Sequence, residues 1–477
     1  MRIIGNAGKA REVQAVASGA LASGDTVVVN SDGTVSVVAG SAESIGTPVV
    51  FGSSGVGSSS VSAVFDSSNN KVVVAYSDSG NSSYGTAAVG TVNGTSISFG
   101  SPVVFESAWS TSISAAFDSN SNKVVIAYRD EGNSNYGTAV VGTVSGTSIS
   151  FGTPVVFQTS FSLTCSSVFD NNSNKIVIAY RLISGGASAI VGTVSGTSIS
   201  FGSASSFESS DVGYISTTYD ANAQKVVVAY GDGGNSYYGT AVVGTVSGTS
   251  ISFGSKVVFE SGSIQFVSST FDSNANKVVI SYQDGSNSSY GTAVVGTVSG
   301  TSISFGTPQV FNSTSTFYTS ATFDTNQNKV LISFSNANST GDVVPTTVSG
   351  TSLVFEDFIT FEDGQTEFLG STFDTSQNSF VAAYRDGGNS NKGTGSAVQV
   401  GSTTLTSDNY IGTAATGAPS GQGAKINIKG AVDENQSGLT AGQSYYVQAD
   451  GTLGTTPADP SVFAGTAVAA TKLIVKG

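Results

Sequence analysis

Apolar runs and short polar stretches alternate along most of this chain, and one block shows the pattern best. Residues 111–157 read TSISAAFDSNSNKVVIAYRDEGNSNYGTAVVGTVSGTSISFGTPVVF. The pattern predicts a strand over 112–117, a polar turn over 118–122 and a second strand over 124–128. That second strand is an unbroken apolar run, the mark of a strand covered on both faces. A polar loop over 129–135 leads to a third strand over 136–144, and Ser145-Gly146 turns the chain into a fourth, Ser148–Phe151. The fourth strand is expected to continue past Pro154 as 155–157, and a proline there places it on a sheet edge.

The block recurs. A Phe-Asp step, Tyr-Asp once, marks each copy: Phe65-Asp66, Phe117-Asp118, Phe169-Asp170, Tyr219-Asp220, Phe271-Asp272, Phe323-Asp324 and Phe373-Asp374. The seven copies are spaced by 52, 52, 50, 52, 52 and 50 residues, a period that points to a propeller, a solenoid or a domain array. Units of this size bury too little surface to stand alone, and solenoid repeats are usually shorter. Four antiparallel strands per unit, apolar on both faces, predict an all-β fold, a seven-bladed β-propeller over residues 45–403. The stretch Ile45-Gly46-Thr47-Pro48-Val49-Val50-Phe51 matches Phe151-Gly152-Thr153-Pro154-Val155-Val156-Phe157, yet it precedes the first copy, and the last copy lacks it after Gly393. Residues 45–51 are therefore expected to complete the last blade and clasp the ring.

The two chain ends hold a fainter duplication. Residues 24–34 align without gaps to 442–452, Tyr410 to Ala414 aligns to Phe463 to Ala467, and Lys425 to Gly430 aligns to Lys472 to Gly477. One copy of this small β unit is continuous, from about 437 to 477. The other is split between residues 1–44 and the start of 404–477. This predicts a propeller inserted into a surface loop of a two-copy β domain, because insertions succeed where a loop's ends lie close together.

Composition and charge exclude several functions. The formal net charge is -14 and the pI about 4.3, so the clustered cations that bind a phosphate backbone or an anionic bilayer are missing. Neither nucleic acid nor membrane insertion is expected, and no apolar stretch approaches the ~20 residues of a spanning helix. There is no histidine and Cys165 is the one cysteine, which removes the commonest general base and metal ligand, thiolate clusters and intrachain disulfides. The N-terminal stretch lacks a signal-like apolar run, and the expectation is a route out of the cell other than export, such as assembly into a particle and lysis, with a cytoplasmic home as the alternative.

Candidate chemistry sits in two sets of loops. The loop after the second strand carries Asp78, Asp130, Asp232, Asp284 and Asp386 in a D-x-G-N-like setting. These oxygens suit Ca²⁺ or sugar hydroxyls, but a loop copied in most blades usually serves the blade, with Asp capping the turn beside a permissive glycine. The segments entering each blade vary while the blades do not, and they carry Trp109, Phe161, Tyr214, Phe266, Phe317, Tyr318 and Phe368. Such rings stack on sugars or proteins, or pack together as a plug in the channel mouth. Lys71, Lys123, Lys175, Lys225, Lys277 and Lys329 follow the first-turn Asp at a fixed offset, which predicts Asp/Lys pairs across the hairpin. Arg129, Arg181 and Arg385 share one repeat position in blades that are not all neighbours, a poor basis for a sialidase-like centre.

The continuous terminal copy, through Gly438-Leu439, Gly442, Tyr445-Tyr446-Val447, Asp450-Gly451, Gly465 and 469–475, resembles a terminal β module of tailed-bacteriophage structural proteins, found in head fibres, capsid-decorating proteins and tail fibres. The blades look, more loosely, like sialidase-like and adhesion propellers. The resemblance implies a non-enzymatic, homo-oligomeric virion protein that contacts other virion proteins and displays the propeller toward host-surface glycan or protein. A bacterial extracellular adhesin or lectin is the alternative reading, and a glycan-cleaving enzyme the third.

Overall fold

The computed structural model describes residues 11–476 apart from 31, 53–54, 58–60, 407 and 459, and the side chains at 161–163 and 403 lie outside the description. The chain divides into two compact units, residues 45–399 and residues 1–44 with 400–477.

In the larger unit each copy folds as its pattern dictates. Lys123–Asp130 pairs on one side with the second half of Val103–Asp118 and on the other with Tyr136–Ser145, all antiparallel. Residues 124–128 are fully buried because the sheet is covered twice. Val124, Ile126 and Tyr128 pack on Val73 and Ala75 of the first copy, while Val125 and Ala127 pack on Ile176 and Ile178 of the third. Each buried Val or Ile among them contributes roughly 1.5–3 kcal/mol through burial. The first turn is held by Asp118, whose carboxylate accepts the amides of Asn120 and Ser121 at 2.9 and 3.0 Å. The expected Asp/Lys pairs do not form among the described residues, since the carboxylate is used on turn amides. Lys329 pairs with Glu356 instead, at 2.8 Å.

Two expectations change. The fourth strand is two segments end to end along the third strand: Ser148–Phe151 lies along residues 142–145, and Val155–Asp170 begins along residues 136–139. The segment entering the next blade is accordingly strand rather than loop in this copy. Val155–Asp170 is one 16-residue strand that pairs first with the preceding copy and then with its own.

The ring closes where the sequence places the clasp. Val49–Gly52 pairs with Lys392–Gln399 as Gly393↔Gly52, Thr394↔Val50 and Gly395↔Val49, the register by which Val103–Asp118 meets Tyr84–Asn93 at Gly85, Thr86 and Ala87. The Gly46 amide donates to the Ala397 carbonyl at 2.9 Å, as Gly100 does to Val89. A Cβ at Gly46 would overlap the Thr95 carbonyl, and one at Gly100 the Thr147 carbonyl. The inner strands touch in sequence order, and Thr366–Asp374 returns to Ser62–Asp66. Together they line a channel of ≈190 Å³. Ser62, Ser114, Ser166, Ser216, Ser268 and Ser320 each accept an amide of the next copy at 2.9–3.0 Å, and Gly370 takes the seventh place.

The terminal unit holds two five-stranded sheets of matching order. Thr26–Val29 meets Tyr410–Ala414 as Thr26↔Thr413, Val27↔Gly412 and Val28↔Tyr410. Ser444–Val447 meets Val462–Ala469 as Ser444↔Thr466, Tyr445↔Gly465 and Tyr446↔Phe463, with the irregularity at the same step. Gly412 and Gly465 are needed because a Cβ would strike the carbonyls of Asn427 and Ile474, themselves equivalent residues. The copies share one core that joins Val28, Val38 and Tyr410 to Tyr445, Val447 and Leu473. Residues 400–403 belong to this unit rather than to the propeller, because Ser402–Thr403 pairs with Gly40–Ser41.

Candidate functional site

Most inner strands carry a bulge near their start, with register shifts at Thr111/Ser114, Gly213/Ile215, Gln265/Ser268, Phe317/Ser320 and Glu367/Gly370. Five residues before the marker Phe or Tyr, the backbone is left-handed: φ is 51° at Ser112, 43° at Tyr214, 50° at Phe266, 52° at Tyr318 and 49° at Phe368. A bulky residue there is an outlier that costs about 1–3 kcal/mol, and a bulge is a common device for re-aiming a side chain.

The bulges bring four rings into one row. Tyr214 lies 5.1 Å from Phe266 between ring centres, Phe266 4.9 Å from Tyr318, and Tyr318 5.0 Å from Phe368. Phe317 flanks Phe266 at 6.0 Å, and the Arg385 guanidinium lies 5.6 Å from the Phe368 ring centre. The row follows directly on the residues that line the channel, among them Ile215, Val267, Thr319 and Leu369. Tyr214 and Phe317 remain 38% and 36% exposed, and the other three rings are half-buried. Burial raises the hydroxyl pKa of Tyr214 and of Tyr318, so both stay protonated donors at neutral pH.

Trp109 and Phe161 occupy a different repeat position, three residues earlier. Trp109 is 54% exposed, opposite Tyr84, and its carbonyl accepts the Glu131 amide at 3.0 Å. Phe161 lies opposite Tyr136 in the backbone pairing, and its side chain is outside the described residues.

The loop aspartates turn inward to their own loops. Asp78 accepts the Gly80 amide at 3.1 Å, Asp130 that of Asn133 at 3.1 Å, Asp232 that of Gly234 at 2.9 Å, Asp284 that of Ser286 at 2.9 Å and Asp386 that of Asn389 at 3.0 Å. All but Asp78 are buried. Among the described residues no three acidic or thiol side chains gather in a way that would hold a metal ion.

A set of contacts absent from the sequence reading joins successive copies. The residue after each outer-edge Phe reaches the Tyr of the next copy's second strand. The Tyr128, Tyr282 and Tyr384 hydroxyls donate to Glu106, Glu260 and Glu362 at 2.9, 2.9 and 2.7 Å. Gln158 donates to the Tyr180 hydroxyl at 3.2 Å. Gly52 stands at the clasp instead, and among the described residues the buried Tyr76 hydroxyl has no partner. Burial, with Asp130 adding repulsion, raises the Glu106 carboxyl, and Glu260 is raised likewise beside Asp284. Burial also raises Asp130 and Asp386, the latter with Glu362 adding to it. At Glu208 burial pushes upward too, but Lys256 at 2.5 Å and two loop amides outweigh it and hold the carboxyl below its usual range. The signal was the Phe-Glu step recurring at Phe105-Glu106, Phe207-Glu208, Phe259-Glu260 and Phe361-Glu362.

The three repeat arginines are engaged locally. Arg129 lies 3.4 Å from Glu131, Arg181 holds Asp211 at 2.8 and 2.9 Å, and Arg385 lies 3.3 Å from Glu367.

No protein-family model matches the chain, and no curated protein sequence matches it. Among solved structures, the lectin BP39L from Burkholderia pseudomallei is similar with a TM-score of 0.54 and 8% identity, over 69% of this chain and 93% of that one. A mutant Aleuria aurantia lectin in complex with Fucalpha1-6GlcNAc gives 0.45 and 12%, over 65% and 98%. A protein of unknown function from Dyadobacter fermentans gives 0.43 and 11%, over 61% and 94%. Only the first is close enough to bear on shape, and at this identity it shows a propeller-type fold and nothing finer.

Proposed function

We propose that this protein is a carbohydrate-binding propeller whose sugar platform is the row Tyr214, Phe266, Tyr318 and Phe368. The row itself carries the reading: four aromatic residues hold costly left-handed backbone in consecutive copies, side by side at a channel mouth. Aromatic faces flanked by hydroxyl and amide groups suit the mixed apolar and polar surface of a sugar ring. The likeness in shape to a bacterial lectin supports it. Trp109 is a further exposed ring on the same variable segments. The chain acts as a binder rather than a catalyst, since its repeat arginines are spent on neighbouring carboxylates or amides instead of converging. Glycan-array binding of the full chain tests this. A defined subset of glycans is expected to bind, and Tyr214→Ala with Phe266→Ala is expected to weaken that binding tenfold or more, about 1.4 kcal/mol. An array with no hits, or a variant that binds as the parent does, removes the reading.

The finer assignment is a decoration or fibre protein of a tailed-phage particle, present in several copies, anchored by the duplicated terminal unit and presenting the propeller to host-surface glycans. Its support is the sequence resemblance of residues 438–475. A free bacterial lectin is the competing reading, favoured by the shape of BP39L. Proteomics of purified particles separates the two.

A further inference from the structure

We infer that the aromatic mouth accepts uncharged sugars and turns anionic ones away, and that Glu367 sets this preference; the inference rests on the carbohydrate-binding reading above. An anionic sugar needs a cation whose donors are still open to it. Arg385 is the cation over the row, 5.6 Å from the Phe368 ring centre. Glu367 lies 3.3 Å from it, and its Nε and Nη2 donate to Asn391 at 3.0 and 2.9 Å. Its charge is therefore met by Glu367, and its Nε and Nη2 donors are directed to Asn391 rather than to the row. Arg129 and Arg181, at the same end of their blades, face Glu131 and Asp211. Lys392 begins the third strand of its copy, opposite Asp386 and two strands out from the inner strand that carries Phe368. Lys256 is held by Glu208 and Asp232. The ring faces carry the negative side of the aromatic quadrupole, and the net charge of -14 adds a repulsive field for anions.

Glu367→Gln keeps the side chain's size, removes its charge and leaves Arg385 unopposed above Phe368. The test is titration of the full chain, wild type and Glu367→Gln, with matched glycan pairs: sialylated oligosaccharides and their desialylated forms, and trigalacturonate beside galactotriose. Wild type is expected to bind the neutral member at least tenfold more tightly, with the gap shrinking as salt rises. The variant is expected to melt at the wild-type temperature and to narrow the gap to threefold or less. Equal binding of both members by wild type overturns the inference while leaving the carbohydrate reading in place, as does a gap unchanged in the variant. Binding of neither member removes the carbohydrate reading, and this inference with it.

Discussion

Seven turns place a non-glycine residue at positive φ between the first and second strands of each copy: Asn70, Asn122, Asn174, Gln224, Asn276, Asn328 and Asn378, all between 51° and 57°. Asparagine occupies this region at less cost than glutamine. Gln224→Gly is therefore expected to stabilise the protein by roughly 0.5–1 kcal/mol, read by thermal or denaturant unfolding. Tyrosines at the copy junctions make a second contrast. Tyr128→Phe deprives Glu106 of its donor and is expected to cost about 1–2 kcal/mol. Tyr76→Phe removes a hydroxyl that has no partner among the described residues and is expected to be neutral or slightly stabilising. At this scale the sequence named the rings but not their grouping. Tyr214, Phe266, Tyr318 and Phe368 share a fixed offset from their markers, yet the pattern of variable segments groups them with Trp109 and Phe161. The reason is physical: an aromatic at positive φ contradicts local propensity, so the bulge that presents it leaves no propensity signal.

Among elements, the strand Val49–Gly52 bears the most on integrity, because it joins residues more than 300 apart in sequence into one sheet. Phe51 is buried against Tyr76 and Phe99, at 5.0 and 5.4 Å between ring centres. Phe51→Ala is expected to cost about 3–5 kcal/mol, and hydrogen exchange is expected to rise at the amides of residues 393–397 before it rises elsewhere in the propeller. Uniform loss of protection would instead mean that the clasp is no weaker than the other junctions. This pairing was readable because it is a repeat displaced to the far end of the chain. The split fourth strand was not. Pro154 suits an edge residue in a continuing strand, whereas the strand is interrupted there and a new one pairs with the same partner further along it.

The whole molecule carries carboxylates at its junctions that the fold holds above their ordinary pKa: Glu106, Asp130, Glu260 and Asp386. Asp220 and Asp324, in first turns, are shifted the same way by burial. Between the ordinary carboxylate value near ~4 and these raised values, the folded chain binds more protons than the unfolded one, so stability falls as pH rises through that window and returns on acidification. Glu208, Asp32, Glu434 and Asp450 are shifted downward, and their contribution is lost only below that window. The melting temperature of the full chain is therefore expected to rise as pH is lowered from neutral toward the ordinary carboxylate range, and Glu106→Gln with Asp130→Asn is expected to shrink the rise. A melting temperature that falls on acidification contradicts this. The ring was legible because seven near-identical blocks cannot bury their faces except against one another, and the terminal pair because its gap-free alignment survives in the strand register.

The central claim is that the row from Tyr214 to Phe368 holds a sugar, and a crystal structure of the full chain soaked with its best array ligand tests it most directly. The account predicts a sugar ring laid over those four side chains at the channel mouth, with the Asp130, Asp232, Asp284 and Asp386 carboxylates still bound to their own loop amides. A sugar seated elsewhere with the mouth unoccupied would contradict it.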